Sequence, residues 1–121
     1  MPCEHLIIQA YDGIVLAQIT KPRLLEAPVI NAIGAELLLL PERHMKISLI
    51  LDMEMVEYLS SAMLGKMVAI YKGVKLSKGR MALGGVKASM MPLFKTTQLD
   101  KLMEFFPTSK DAIMFYKRKP L

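Results

Sequence analysis

Tryptophan is absent from this chain, cysteine occurs once, at Cys3, and there are only two histidines, His5 and His44. A single cysteine excludes an intramolecular disulfide, so the fold must rest on a buried core, for which 121 residues suffice in one domain, residues 1–121. The histidines lie far apart and in no metal-ligand spacing, which leaves them as ordinary surface or edge residues. Neither has a reason to serve as base for a serine nucleophile. No apolar run is long enough to span a bilayer. Gly84 and Gly85 follow a strand pattern without the spacing of a phosphate loop, so a tight strand exit explains them. The N-terminal residues lack the basic segment and apolar run of a secretory signal. These absences predict a protein that is not an enzyme, carries no cofactor or metal, stays off the membrane and works in a reducing cytoplasm.

The chain is 53% hydrophobic and 22% charged, which excludes disorder. Its net charge of +5 invites a nucleic-acid reading, but the basic residues are scattered except for Lys117, Arg118 and Lys119. Backbone binding to nucleic acid needs clustered charge and aromatic partners, and the tyrosines and phenylalanines do not alternate with basic residues. The basic tail reads as a solvated, frayed terminus. Methionine is abundant, with 11 residues, and Met53, Met55, Met63, Met90 and Met91 fall near expected strand-to-helix loops. Core filling is the common use of methionine, and an adaptable docking rim is the other.

Residues 6–10 and 14–20 are rich in β-branched residues and flank Tyr11, Asp12 and Gly13, whose Asp-Gly pair predicts a hairpin. Val29, Ile30, Ile33, Leu37, Leu38 and Leu40 follow helical spacing, with Pro28 in the first turn and Pro41 expected to stop the helix. Residues 46–52 are too continuously apolar for an amphipathic helix and fit a central strand buried on both faces. Leu64, Met67, Val68 and Tyr71 then mark a second helix that begins at the serine pair and ends near residues 77–79. A short strand over residues 80–84, a helix from Ser89 to about Leu99, a brief strand over 104–106 and a helix capped by Thr108 or Ser109 complete the pattern. The sum is an α/β fold: a mixed sheet of about five strands, opening with a hairpin, with about four helices packed against it.

Residues 51–65 carry the chain's most specific signal. A hydrophobic strand ends in Asp52, crosses a loop holding Glu54 and Glu57, and enters a helix through Ser60 and Ser61. A serine there can cap the helix, since its oxygen satisfies an N–H that the first turn leaves orphaned. It can also accept a phosphate, which the same N–H groups and the helix dipole would hold. Asp52, Glu54 and Glu57 straddle a strand end and a loop with no histidine nearby, and read as a solvated acidic loop.

In these residues the chain resembles the STAS domains, and within them the bacterial anti-sigma-factor antagonists. The family pattern is a strand, an Asp, a few residues, an apolar pair, then Asp-Ser-Ser/Thr/Ala-Gly/Ala-Leu-Gly. Here Ile50, Leu51, Asp52, Leu59, Ser60, Ser61, Ala62, Met63, Leu64 and Gly65 stand in that order. Aligned on Leu64 and Gly65, the family's phosphorylatable serine falls on Ser61, with Ser60 as second choice. Ser60 replaces the usual carboxylate, and Met63 replaces Gly or Ala. The resemblance implies a transcription regulator, a monomer or weak dimer, that docks an anti-sigma serine kinase through Leu59, Ser60, Ser61, Ala62 and Met63. The kinase would supply ATP and magnesium, and phosphorylation would end docking and so control a sigma factor. A STAS scaffold that is never phosphorylated, or a small-ligand or lipid-handling module, is the alternative.

Overall fold

Asp12 and Gly13 both hold positive φ, 53° and 78°, and turn the chain between β1 (Leu6–Tyr11) and β2 (Ile14–Ile19). That is the backbone requirement of the tight turn whose twist matches its flanking strands, and the Asp-Gly pair meets it at little steric cost. β1 and β2 pair antiparallel from Tyr11 and Ile14 at the turn to Leu6 and Ile19 at the open end. The computed structural model describes residues 4–121; Cys3 lies outside the described residues.

β4 (Ser48–Asp52) runs parallel to β2 and to β6 (Arg80–Gly84), and β7 (Glu104–Phe106) adds parallel to β6. The five-stranded sheet has the order β1-β2-β4-β6-β7, so only the opening hairpin is antiparallel. Every residue of β4 is buried, as the unbroken apolar run of a central parallel strand requires. Leu49 and Leu51 enter a large core with α1 (Ala27–Arg43), α2 (Ser61–Leu76) and α3 (Met91–Thr96). Ile50 enters a smaller core with Ile14, Ala82, Ala112 and Tyr116, the last two on α4 (Ser109–Arg118). The alternation of strand side chains thus puts α1, α2 and α3 on one face and α4 on the other. Four helices around a mixed five-stranded sheet match the architecture expected from the sequence.

The structure departs from that expectation in three places. Pro41 does not stop α1, which continues to Arg43. In the last turn its missing N–H costs one helical bond, while the His44 N–H still donates to the Leu40 carbonyl at 3.0 Å. The helix expected over residues 89–99 is broken into a 3-10 turn at Ala88–Met90, α3, and a second 3-10 turn at Leu99–Lys101. The Thr97 hydroxyl donates to the Leu93 carbonyl at 2.9 Å, and Gln98 turns left-handed at φ 61°, which ends α3. A second, two-stranded parallel sheet, β3 (Arg23–Leu24) with β5 (Tyr58–Leu59), has no periodic signal in the sequence because each strand is two residues long.

Candidate functional site

β4 delivers the chain to the C-terminal edge of the sheet at Asp52, where the loop to α2 begins. Asp52 is not the solvated acid expected from the sequence: it is 8% exposed, and its Oδ1 accepts the Glu54 N–H at 3.0 Å. This bond turns the chain, and the Val56 N–H closes a second turn on the Met53 carbonyl at 3.0 Å. Met53 and Val56 are both fully buried, so the loop is anchored by side chains that plug the core. Glu54 and Glu57 alone of the three acids are exposed. Among the described residues no group of three or more His, Cys, Asp and Glu side chains gathers to hold a metal.

The short parallel sheet then sets the approach to α2. Tyr58 and Leu59 pair with Arg23 and Leu24, and the Ser60 N–H donates to the Leu24 carbonyl at 3.0 Å. Ser60 is the N-cap, extended at φ −85° and ψ 166°, and its carbonyl accepts the N–H groups of Met63 and Leu64 at 3.1 and 3.2 Å. Its side chain does not cap. The hydroxyl oxygen is buried and has no hydrogen-bond partner among the described residues. Ser61 is the first residue of the helix and is exposed, as is Ala62. The first turn carries no acidic residue, so no side-chain charge there offsets the positive end of the 16-residue helix.

Of the five residues expected to dock a partner, Leu59 and Met63 turn inward, at 2% and 0% exposed. They belong to the core because helical and strand geometry point them under the surface that Ser61 and Ala62 present. Ser60 is half-buried between the two groups. Met53, Met63 and Met90 likewise fill the core, whereas Met55 is exposed.

An open groove of about 730 Å³ runs beside the serine pair, lined on one side by Glu57, Tyr58, Leu59, Ser60 and Ser61. Its other wall is Ser89, Met90, Pro92, Leu93 and Thr96. Of these, only Met90 is marked by the sequence as a rim candidate; the rest of that wall comes from a distant, weakly periodic segment. Glu57 is the one charged side chain lining the groove, so serine and threonine hydroxyls over an apolar floor set its chemistry. Arg23 flanks it, with its guanidinium carbon 5.7 Å from the centre of the Tyr58 ring. Gly84 and Gly85 close the neighbouring strand exit: Gly85 has φ 74°, and a Cβ there would run into the Glu54 side chain. The Lys87 ammonium donates to the Glu54 carbonyl and holds that loop from the far side. Neither His5 nor His44 lines the groove.

The fold and the site define an α/β protein whose mixed sheet carries an exposed hydroxyl at the first residue of a long helix, beside a shallow groove. The chain belongs to the STAS domain family, which it matches over residues 24–112. Its architecture is shared with an anti-sigma-factor antagonist (STAS) domain protein from Planctomyces limnophilus, at TM-score 0.79 and 17% identity, covering 90% of this chain and 95% of that one. It is shared too with the phosphorylated form of the Bacillus cell fate determinant SpoIIAA, at TM-score 0.69 and 16% identity, covering 89% and 96%. A murine Solute Carrier 26 family member A9 anion transporter contains the same fold, at TM-score 0.76 and 14% identity over 92% of this chain but 19% of its own. The fold therefore occurs both in a chain named as an anti-sigma-factor antagonist and as part of a longer transporter chain.

Proposed function

We propose that the chain is a non-enzymatic, cytoplasmic switch domain of the anti-sigma-factor-antagonist kind, spanning residues 1–121. It docks an anti-sigma serine kinase through the exposed start of α2 and the adjoining groove, and is phosphorylated by it on Ser61. The observation that carries this reading is the position of Ser61: exposed, at the first residue of α2, on the groove rim, with no acidic residue in the helix's first turn. A phosphoserine there adds about −1.5 to −2 charges, which the helix N-terminus tolerates, so the domain keeps its fold. The partner must then desolvate that charge. Without a compensating cation this costs several kcal/mol, and every ~1.4 kcal/mol is tenfold in affinity.

The test is affinity capture from the native cell with wild-type, Ser61→Ala and Ser61→Asp baits, followed by incubation of the captured complex with ATP. A kinase retained by wild type and Ser61→Ala, weakened by Ser61→Asp, and adding one phosphate mapped to Ser61 is the expected result. Phosphate on Ser60 alone would move the acceptor by one residue, and equal capture by all baits would overturn the switch. In that last case the second reading, a STAS scaffold that is not phosphorylated, takes its place. The feature that favours it is Ser60, an unpartnered hydroxyl where the antagonists commonly have a carboxylate.

A further inference from the structure

The opposite edge of the sheet, away from the serine pair, holds a second concavity. Ile14, Ser48 and Arg80 lie side by side in register, Ile14 with Ser48 and Ser48 with Arg80, at the starts of three parallel strands. They form part of a cleft of about 400 Å³ completed by Asp12, Gly13, Lys46, Tyr116, Lys117, Pro120 and Leu121. Three of these side chains are cationic and one is anionic. Arg80 is held in place from three directions. Its Nε donates to Ser48 Oγ at 2.9 Å, its Nη2 donates to the Tyr116 carbonyl at 3.2 Å, and its guanidinium carbon stands 3.9 Å from the centre of the Tyr116 ring. Those bonds use two of the five N–H donors that a guanidinium carries, and fix the plane of the rest. Ser48 is 4% exposed, and its hydroxyl accepts from Arg80, which leaves its own proton to donate. A buried O–H donor beside an immobilised guanidinium suits an acceptor with several oxygens.

We propose that this cleft binds a small organic phosphate monoester. The phosphate accepts from Ser48 Oγ and from the spare N–H groups of Arg80, and Lys46, brought in from the loop before β4, supplies the second positive charge. A phosphate serves this set because its acceptor oxygens can meet separate donors, and the pre-positioned guanidinium loses little freedom on binding. The cleft is larger than the anion alone needs, and Ile14, Pro120 and Leu121 offer apolar surface to a carbon body attached to it. Asp12 on the rim disfavours a second anionic group and accepts from a hydroxyl.

The test is an amide shift titration of the full chain by nuclear magnetic resonance, with phenyl phosphate and with inorganic phosphate as probes at fixed ionic strength. Phenyl phosphate is expected to saturate with a dissociation constant on the order of 1 mM or tighter, more tightly than inorganic phosphate, and to shift Gly13, Lys46, Ser48 and Arg80. Arg80→Gln is expected to weaken binding about tenfold or more, equivalent to ~1.4 kcal/mol. Because that variant also loses its contacts to Ser48 and Tyr116, Lys46→Gln is the deciding control if it unfolds. Lys46 is exposed, and its variant should melt as wild type does while binding about three- to tenfold more weakly. Non-saturating shifts, shifts confined to Ser61, Ala62 and Met63 at the start of α2, unchanged binding by Lys46→Gln, or phenyl phosphate no tighter than inorganic phosphate would each overturn the proposal.

Discussion

At the scale of the residue, Ser60 and Thr108 occupy equivalent positions before α2 and α4 but do different work. Thr108 Oγ1 accepts the Asp111 N–H at 3.1 Å and donates to the Asp111 carboxylate at 3.0 Å, so it satisfies one of the helix's orphan donors. The Ser60 hydroxyl satisfies none and is itself buried without a partner. Thr108→Ala should therefore lower stability by about 1 kcal/mol in urea unfolding, whereas Ser60→Ala should leave it within about 0.5 kcal/mol or raise it, since an unpaired buried hydroxyl is removed. Ser61 separates stability from binding. Ser61→Asp places a negative charge at the positive end of α2 and should raise stability by about 0.3–1 kcal/mol, while weakening capture of the partner in the experiment above. A substitution that weakened both would mean damage to the fold instead of loss of docking.

At the scale of the element, α4 lies unusually close to β6. A Cβ built on Gly84 would sit 2.6 Å from the Cα and backbone nitrogen of Ser109, the first residue of α4, and neither of those atoms can move without the helix. The absence of a side chain at Gly84 thus sets the spacing at that end of the smaller core. Gly84→Ala should cost about 1–3 kcal/mol or more, the usual penalty of overpacking, and should shift methyl resonances of Ala112 before those of α1. The same device does not operate at Gly34 of α1. There a Cβ would meet only the aliphatic stem of Lys66, at 2.9 Å, which can swing aside. Gly34→Ala should be close to neutral, with the gain in helix propensity, about 0.5–1 kcal/mol, offset by the displaced lysine.

At the scale of the molecule, Tyr116 ties the last helix to β6 and β7. Its ring is buried, its hydroxyl donates to Glu104 Oε1 at 3.1 Å, and Arg80 stacks on it. Burial pushes the phenol's pKa well above its ordinary value; the Glu104 charge and its hydrogen bond add to this, and Arg80 opposes it only in part. Because the folded value lies above the unfolded value of about 10, the stabilising effect is complete below pH ~10 and is lost as pH rises beyond it, where the unfolded chain releases the proton first. Stability should fall by up to about 1.4 kcal/mol per pH unit above that point. Tyr116→Phe should flatten this alkaline limb, as read from urea midpoints between about pH 9 and pH 11. The two proposed sites lie at opposite ends of the parallel strands. The groove by Ser61 opens where the parallel strands finish, and the cleft by Arg80 opens where they begin.

Local chemistry alone determined several parts of this protein. The Asp12-Gly13 turn follows from backbone sterics, the burial of β4 from its uninterrupted apolar residues, and the start of α2 at the serine pair from a change of periodicity. Those three suffice to put a serine hydroxyl at a helix N-terminus, and with it the family resemblance. Other features needed the chain to fold before they existed. The β3–β5 pairing joins two-residue strands too short for any periodic signal, and it decides that Ser60 donates to Leu24. Packing, not polarity, buries Asp52 and turns Leu59 and Met63 inward. The far wall of the groove, and the meeting of Ser48, Arg80 and Tyr116, arise only when separate strands and helices come together. Turns and helix starts are set by energies between near neighbours along the chain, and so can be read from sequence. Grooves, clefts and the partnering of buried polar groups are set by contacts between residues remote in sequence, which only the tertiary structure brings together.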